Sequence, residues 1–367
     1  MMNSPSPRYF AASNSAGGFR SYYGEIFTDS RVDRLYIIKG GPGTGKSHFM
    51  KVVAHRARGQ GYRVTEYACS SDPASLDGLL LTKDGLPTLG FLDGTPPHPR
   101  EPTLPGVKED LIHLGAFWNS RMLAGRGDTV RRLTDEKSAA YRRAYAYLAA
   151  CGAVDEVAEL RMAECVRRDR IQSLAERLLR GQPRAKGNGF TAVPALRRAV
   201  GMTGTVFLPT FERESALRGG SILVLEDYYG IAYRVTHTLL ERSRAACHEV
   251  YVSYDPVYAH KIDGLFYPDS GLCILVGNSD SVVSVGEGAP ARSIPLRRMA
   301  IAENLREARG DVRRAGALRE RLMEGAMREL AEAAKYHFEL ESIYVEAMDF
   351  EAKEAFTERF CRDLFSE

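Results

Sequence analysis

The sequence predicts an α/β protein: a parallel sheet that occurs twice in tandem, with long helical additions after each half. Three observations predict it. The short apolar run Arg34–Ile38 leads directly into a glycine-rich loop, and Lys46–Arg58 then places Phe49, Val52, Val53 and Ala57 at helical spacing. Landmarks of the first third of the chain recur in the second half. Between and after these segments lie long amphipathic stretches of helical period.

Composition sets the bounds. The 367 residues are 44% hydrophobic and 26% charged, which is ordinary for globular protein and leaves room for two or three domains. The net charge of +3 comes from interleaved basic and acidic residues, so no nucleic-acid partner is indicated. No stretch approaches the ~20 apolar residues of a membrane span. The opening Met1–Pro7 is polar and does not read as a signal peptide. Cys69, Cys151, Cys165, Cys247, Cys273 and Cys361 form no C-x-x-C pair and read as reduced thiols of a cytoplasmic protein.

The glycine-rich loop is Gly40-Gly41-Pro42-Gly43-Thr44-Gly45-Lys46-Ser47. Strand, G-x-x-x-x-G-K-S and helix in succession are the full context of a P-loop, so the predicted sheet is of the P-loop NTPase type. Glycines let successive backbone N–H groups turn toward one phosphate chain. The helix start adds its positive dipole end. Gly41, Pro42, Gly43, Thr44, Gly45, Lys46 and Ser47 therefore form the expected nucleotide cradle, with Lys46 on the β- and γ-phosphates and Ser47 on Mg²⁺. No clear N-K-x-D signature for guanine follows, so ATP is the expected nucleotide.

A second strand, Leu86–Leu92, ends in Asp93, where these folds hold Mg²⁺ through water. No Glu follows Asp93 to serve as a base for water. His98 is the candidate base or γ-phosphate contact; as a His in a proline-rich loop it also reads as a packing residue. Tyr62–Ala68 is another strand, and Asp72 and Asp77 after it fall on the ligand-binding side of an open sheet. Either could serve an acceptor or the metal, and a plain turn suits them equally.

The repeat has an offset of 186: Gly18 matches Gly204, Asp77-Gly78-Leu79 matches Asp263-Gly264-Leu265, and Gly85-Leu86 matches Gly271-Leu272. Asp72-Pro73 matches Asp255-Pro256 at 183, which implies three residues lost and regained. No Lys or suitable hydroxyl falls at the places of Lys46 and Ser47. Glu226 and Asp227 stand where amides should face phosphate and would repel it, and Ser279 takes the place of Asp93. The second half is thus a duplicated core that has lost its nucleotide site.

Helices complete each half. Asp128 reads as the N-cap of a helix to Cys151, Gly152 as a break, and Leu179 as the end of a second helix. Gly181–Gly189 reads as the linker, and Ile301–Glu332 and Ala333–Phe350 as two further helices. The expected units are a nucleotide-binding core at 1–106, a helical segment at 107–182, a degenerate core at 183–298 and a helical segment at 299–367. The arginines 131, 132, 142 and 143 read as a solvated face. The halves are expected to pair face to face as an internal pseudo-dimer, with Arg197, Arg198 or Arg234 as possible donors to the first site.

Four motifs carry a resemblance: I-I-K-G-G-P-G-T-G-K-S (37–47), C-S-S-D-x-x-S-L-D-G (69–78), L-D-G-T-x-P-H (92–98) and H-F-E-L-E-x-x-Y-x-E-A-M-D-F (337–350). Through them the chain resembles bacterial tandem P-loop ATPase-like proteins of unassigned physiological role. The resemblance implies ATP binding and the tandem architecture. In that family the second half usually has its own phosphate loop, and this sequence departs there. Three functions follow as expectations: a Mg²⁺-dependent ATP hydrolase, a phosphotransferase acting on a small acceptor, or an ATP-sensing switch.

Overall fold

Strands and helices recur in the same order in two halves of the computed structural model, which describes residues 6–180, 182, 190–246, 249–278 and 290–365. The first half runs β1 (Arg8–Phe10), β2 (Ala12–Ser15), β3 (Gly18–Ser21), α1 (Tyr23–Ile26), β4 (Arg34–Lys39), α2 (Lys46–Gly59), β5 (Arg63–Ala68), β6 (Leu76–Thr82), β7 (Leu89–Asp93), β8 (Glu109–His113), α3 (Ser120–Gly125), α4 (Gly127–Ala163) and α5 (Arg168–Leu179). The second runs β9 (Thr191–Pro194), β10 (Arg198–Gly201), β11 (Gly204–Phe207), α6 (Thr210–Leu217), β12 (Ile222–Glu226), α7 (Ile231–Ala246), β13 (Glu249–Tyr254), β14 (Ile262–Tyr267), β15 (Leu272–Gly277), β16 (Ala291–Pro295), α8 (Ala302–Glu346) and α9 (Phe350–Leu364). Most of the expected linker, Cys247 and Ser279 lie outside the described residues. The other five cysteines are free.

Each half builds a six-stranded sheet, in the orders β1-β5-β6-β7-β4-β8 and β16-β12-β15-β14-β13-β9. The sheets are mixed, not parallel as expected: β6 runs antiparallel to both β5 and β7, and β14 does the same between β13 and β15. The connections 69–75 and 83–88 are too short for a crossover, which takes a dozen residues or more, so the chain must turn back. Reversal places the start of β6 beside the end of β7. The expected helical segment at 107–182 also contains β8, whose edge position exposes Leu111 and hides the apolar alternation.

Strand registers define the repeat. Phe10 and Leu196 exchange both backbone hydrogen bonds, at 2.9 and 3.0 Å, and Asn14 donates to the carbonyl of Val200, 186 residues away, at 2.7 Å. A residue bonded to its own counterpart is the signature of a two-fold interface, here within one chain. One apolar core, including Tyr9, Phe10, Leu196 and Phe211, crosses the junction. Two expected matches are corrected. Cys69 N–H bonds Ser75 O as Asp255 N–H bonds Lys261 O, so Asp255 corresponds to Cys69 and no residues are lost in that loop. Gly78 pairs with Leu92 and Gly264 with Leu275, so Val276, not Ser279, takes the place of Asp93.

The long helices differ from expectation. α4 passes straight through Gly152, where a Cβ would sit 2.8 Å from that of Ala16. Glycine is there for close approach, not as a breaker. Its N-cap is Arg126, with Asp128 in the first turn. α8 is likewise one continuous helix. The pairs Arg126–Glu346, Arg143–Glu329 and Arg161–Asp311 show that α4 and α8 run antiparallel. Each therefore carries the chain to the opposite sheet. Arg167 N–H bonds Met299 O, seating α5 on the second half; Asp349 N–H bonds Phe117 O, seating α9 on the first. The helical arms are exchanged between the halves.

Candidate functional site

The glycine-rich loop joins β4 to α2. β4 buries Leu35, Ile37 and Ile38, and α2 packs Phe49, Met50 and Val53 over the sheet. Gly43 and Gly45 lie at φ 70° and 79°, in the left-handed region that favours glycine. Thr44 is buried and donates to the carbonyl of Gly41 at 2.9 Å, which closes the loop. The Lys46 ammonium donates to the carbonyls of Gly40 (3.0 Å) and Gly41 (2.8 Å) and lies 3.5 Å from Asp93 Oδ2. Ser47 Oγ accepts from Leu76 N–H at 2.9 Å, tying the start of α2 to the start of β6.

Beside the loop lie the ends of β6 and β7. Asp77, Asp93 and His98 offer ligand atoms all within 4.8 Å of one another. Asp93 Oδ1 accepts from Thr95 N–H (2.9 Å) and Oγ1–H (2.6 Å), leaving Oδ2 toward Lys46. Burial, and then the charge of Asp93, push the Asp77 carboxyl up to about 7. The neighbouring Cys69 thiol is pushed up by burial and by Asp77. His98 packs between Tyr23 and Phe19, at ring distances of 5.3 and 5.8 Å. Burial lowers its basicity against the pull of Asp93. Its Nδ1 and the Tyr23 hydroxyl are buried without a hydrogen-bond partner. Asp72 stands apart as an exposed turn residue, accepting from Ala74 N–H (3.0 Å) and Ser75 Oγ–H (2.6 Å).

The exchanged arm, together with Trp118 of the first half, roofs the loop. A Cβ on Gly41 would meet Tyr344 at 3.2 Å and Trp118 at 3.4 Å; one on Gly43 would meet Val345 at 2.7 Å and the Glu341 carbonyl at 2.9 Å. A Cβ on Gly45 would meet Lys353 at 3.4 Å. Sequence reasoning assigned none of these roof residues, although 337–350 is one of the motifs of the resemblance. Reading the arm for arginines also missed its half-buried Lys137 and His337. Arg131, Arg132 and Arg142 are exposed and Arg143 pairs with Glu329, whereas Lys137 and His337 are half-buried. Burial, Lys137 and Lys46 together lower His337 to about 4.

None of the arginines expected from the second half reaches this site. Arg197 is buried against Glu212, Arg198 against Asp263 (2.7 Å) and Asp255 (3.2 Å), and Arg234 donates to the carbonyl of Glu159 at 3.0 Å. Each is consumed by acceptors of its own half or of α4. Ala232 and Tyr233 stand in the places of Lys46 and Ser47. Asp227 does not confront bare amides there: it accepts from Gly230 N–H (2.9 Å) and Ala232 N–H (2.8 Å), satisfying the start of α7 with its own carboxylate. A cavity of ≈ 710 Å³ adjoins it, lined among others by Tyr229, Tyr233, Tyr258, His260 and Lys261. In it Asp155, Glu159 and His260 form a second close group, but Lys261 bonds Asp155 at 2.5 Å and Glu159 at 3.0 Å and occupies the place a cation would take.

No family model, curated protein or solved structure matches the chain.

Proposed function

We propose that the chain is a Mg²⁺-dependent ATP hydrolase with one nucleotide site, on the loop 40–47 of the first half. The observation that carries this reading is the convergence of Lys46, Ser47, Asp77, Asp93 and His98 at one end of one sheet. The loop amides and the start of α2 suit a phosphate chain, and Lys46 exchanges its loop carbonyls for phosphate oxygens. The Ser47 hydroxyl and the Asp93 carboxylate are hard oxygen donors that suit Mg²⁺, with Asp77 within reach. When bound, Mg²⁺ neutralises charge on the β- and γ-phosphates.

Asp77 supplies what the absent Glu after Asp93 would have supplied. Its carboxylate, buried beside Asp93, takes a proton from water, which His98 Nδ1 holds in line. The water oxygen forms a bond to the γ-phosphorus. The bond from that phosphorus to the bridging oxygen breaks, and its electron pair leaves with ADP. Because the arm rests on the loop, nucleotide occupancy and arm position are linked, so turnover moves the arm.

The test is calorimetry with ATP and Mg²⁺, followed by phosphate release. Wild type is expected to bind and turn over. Lys46→Ala is expected to lose binding, and Asp77→Asn to keep binding and lose turnover. A wild-type protein that binds no ATP in the presence of Mg²⁺ rules the proposal out.

A further inference from the structure

We infer that Lys353, carried to the first half on the exchanged helix α9, is a second lysine of the phosphate site and contacts the phosphate chain beside Lys46. This rests on the nucleotide reading above.

Lys353 occupies the first turn of α9, whose N-cap Asp349 accepts from Ala352 N–H at 2.9 Å. The residue is 2% exposed, and its Cδ and Nζ both lie 3.4 Å from the position of a Cβ on Gly45. Its ion partner is Glu354, at 2.7 Å, a side chain 44% exposed that also bonds His48 at 3.0 Å. A surface glutamate needs no buried lysine to satisfy it, and lysine is among the residues least often fully buried.

Electrostatics sharpens the point. The ammonium lies near the starts of both α2 and α9, where helix dipoles disfavour a cation. Lys46 directly follows Gly45, the residue that Lys353 packs against. Two ammonium groups on neighbouring positions are adverse until a polyanion enters, whose attraction for both outweighs their repulsion.

The internal repeat supplies a control. Arg167 N–H bonds Met299 O as Asp349 N–H bonds Phe117 O, and Ile171 N–H bonds Arg167 O as Lys353 N–H bonds Asp349 O. Ile171 is therefore the counterpart of Lys353. Where Asp227 fills the phosphate position the helix presents a buried isoleucine; where the loop is intact it presents a buried lysine.

The experiment measures ATP affinity, with Mg²⁺, of the full chain by calorimetry in wild type, Lys353→Gln, Lys353→Arg and Glu354→Gln. Loss of one charge-assisted contact is expected to weaken ATP by about ten- to a hundredfold in Lys353→Gln. Lys353→Arg is expected to recover most of it, and Glu354→Gln to leave affinity unchanged or tighter. If Lys353→Gln unfolds, by circular dichroism, Lys353→Met keeps the buried stem and replaces it. Wild-type affinity in the folded Gln or Met variant overturns the inference, as does an equal loss in Glu354→Gln, which would make the lysine a clamp for α9. Failure of wild type to bind ATP removes the nucleotide reading itself.

Discussion

Arg198→Ala tests how the second half has replaced its chemistry. Arg198 is 3% exposed and neutralises Asp263, 0% exposed, and Asp255, 6% exposed, through contacts of 2.7 and 3.2 Å. Removing the guanidinium strands two buried carboxylates, which costs about 3–5 kcal/mol by analogy with broken buried ion pairs. The corresponding residues of the first half are Ala12, Cys69 and Asp77, an arrangement that folds with one carboxylate and no arginine. Adding Asp255→Cys to Arg198→Ala rebuilds that arrangement and removes one of the two stranded charges. The double variant should recover about half of the loss. Urea denaturation of the full chain measures both, read from midpoints at constant slope. A double variant no more stable than the single, or a single loss below about 1 kcal/mol, would refute the reasoning.

Three further outcomes follow. Asp93→Asn should keep most ATP binding and lose its Mg²⁺ dependence, because the amide preserves shape without charge; an unchanged Mg²⁺ titration moves the metal role to Asp77. Calorimetry should give one nucleotide per chain, since Asp227 already satisfies the amides at the start of α7; a stoichiometry of two contradicts this. Glu109, 3% exposed, is raised by burial, but hydrogen bonds from Leu104, Thr103 and Arg100 outweigh this and hold it at about 2. Its stabilisation is therefore complete above the ordinary carboxylate range and fades as pH falls toward 2. Glu109→Gln should cost about 1.5–3 kcal/mol at neutral pH and flatten that acid limb; equal acid sensitivity in the variant would assign it elsewhere.

Local features were legible from sequence. Arg34–Ser47 declares strand, loop and helix because glycine conformation, strand composition and helical period act over a few neighbouring residues. The duplication was legible too, since two copies of a fold keep their turns and apolar runs. Short matches misled where the register slips: Asp72-Pro73 and Asp255-Pro256 look alike, yet backbone pairing aligns Asp255 with Cys69.

The sequence by itself determined that residues 40–47 form a glycine-rich loop between a strand and a helix, and that the second half has no counterpart to Lys46. The tertiary structure decided what surrounds that loop. Antiparallel β6 brings Asp77 to Asp93, and packing on Tyr23 and Phe19 turns a loop histidine into a third member of the cluster. The crossing of α8 to the first half sets Tyr344, and α9 beyond it Lys353, against the loop glycines. The arm contacts join residues about 300 positions apart, and no local period encodes them. They arise because apolar faces of helices beyond one sheet are buried best against the other, which only the folded chain can arrange.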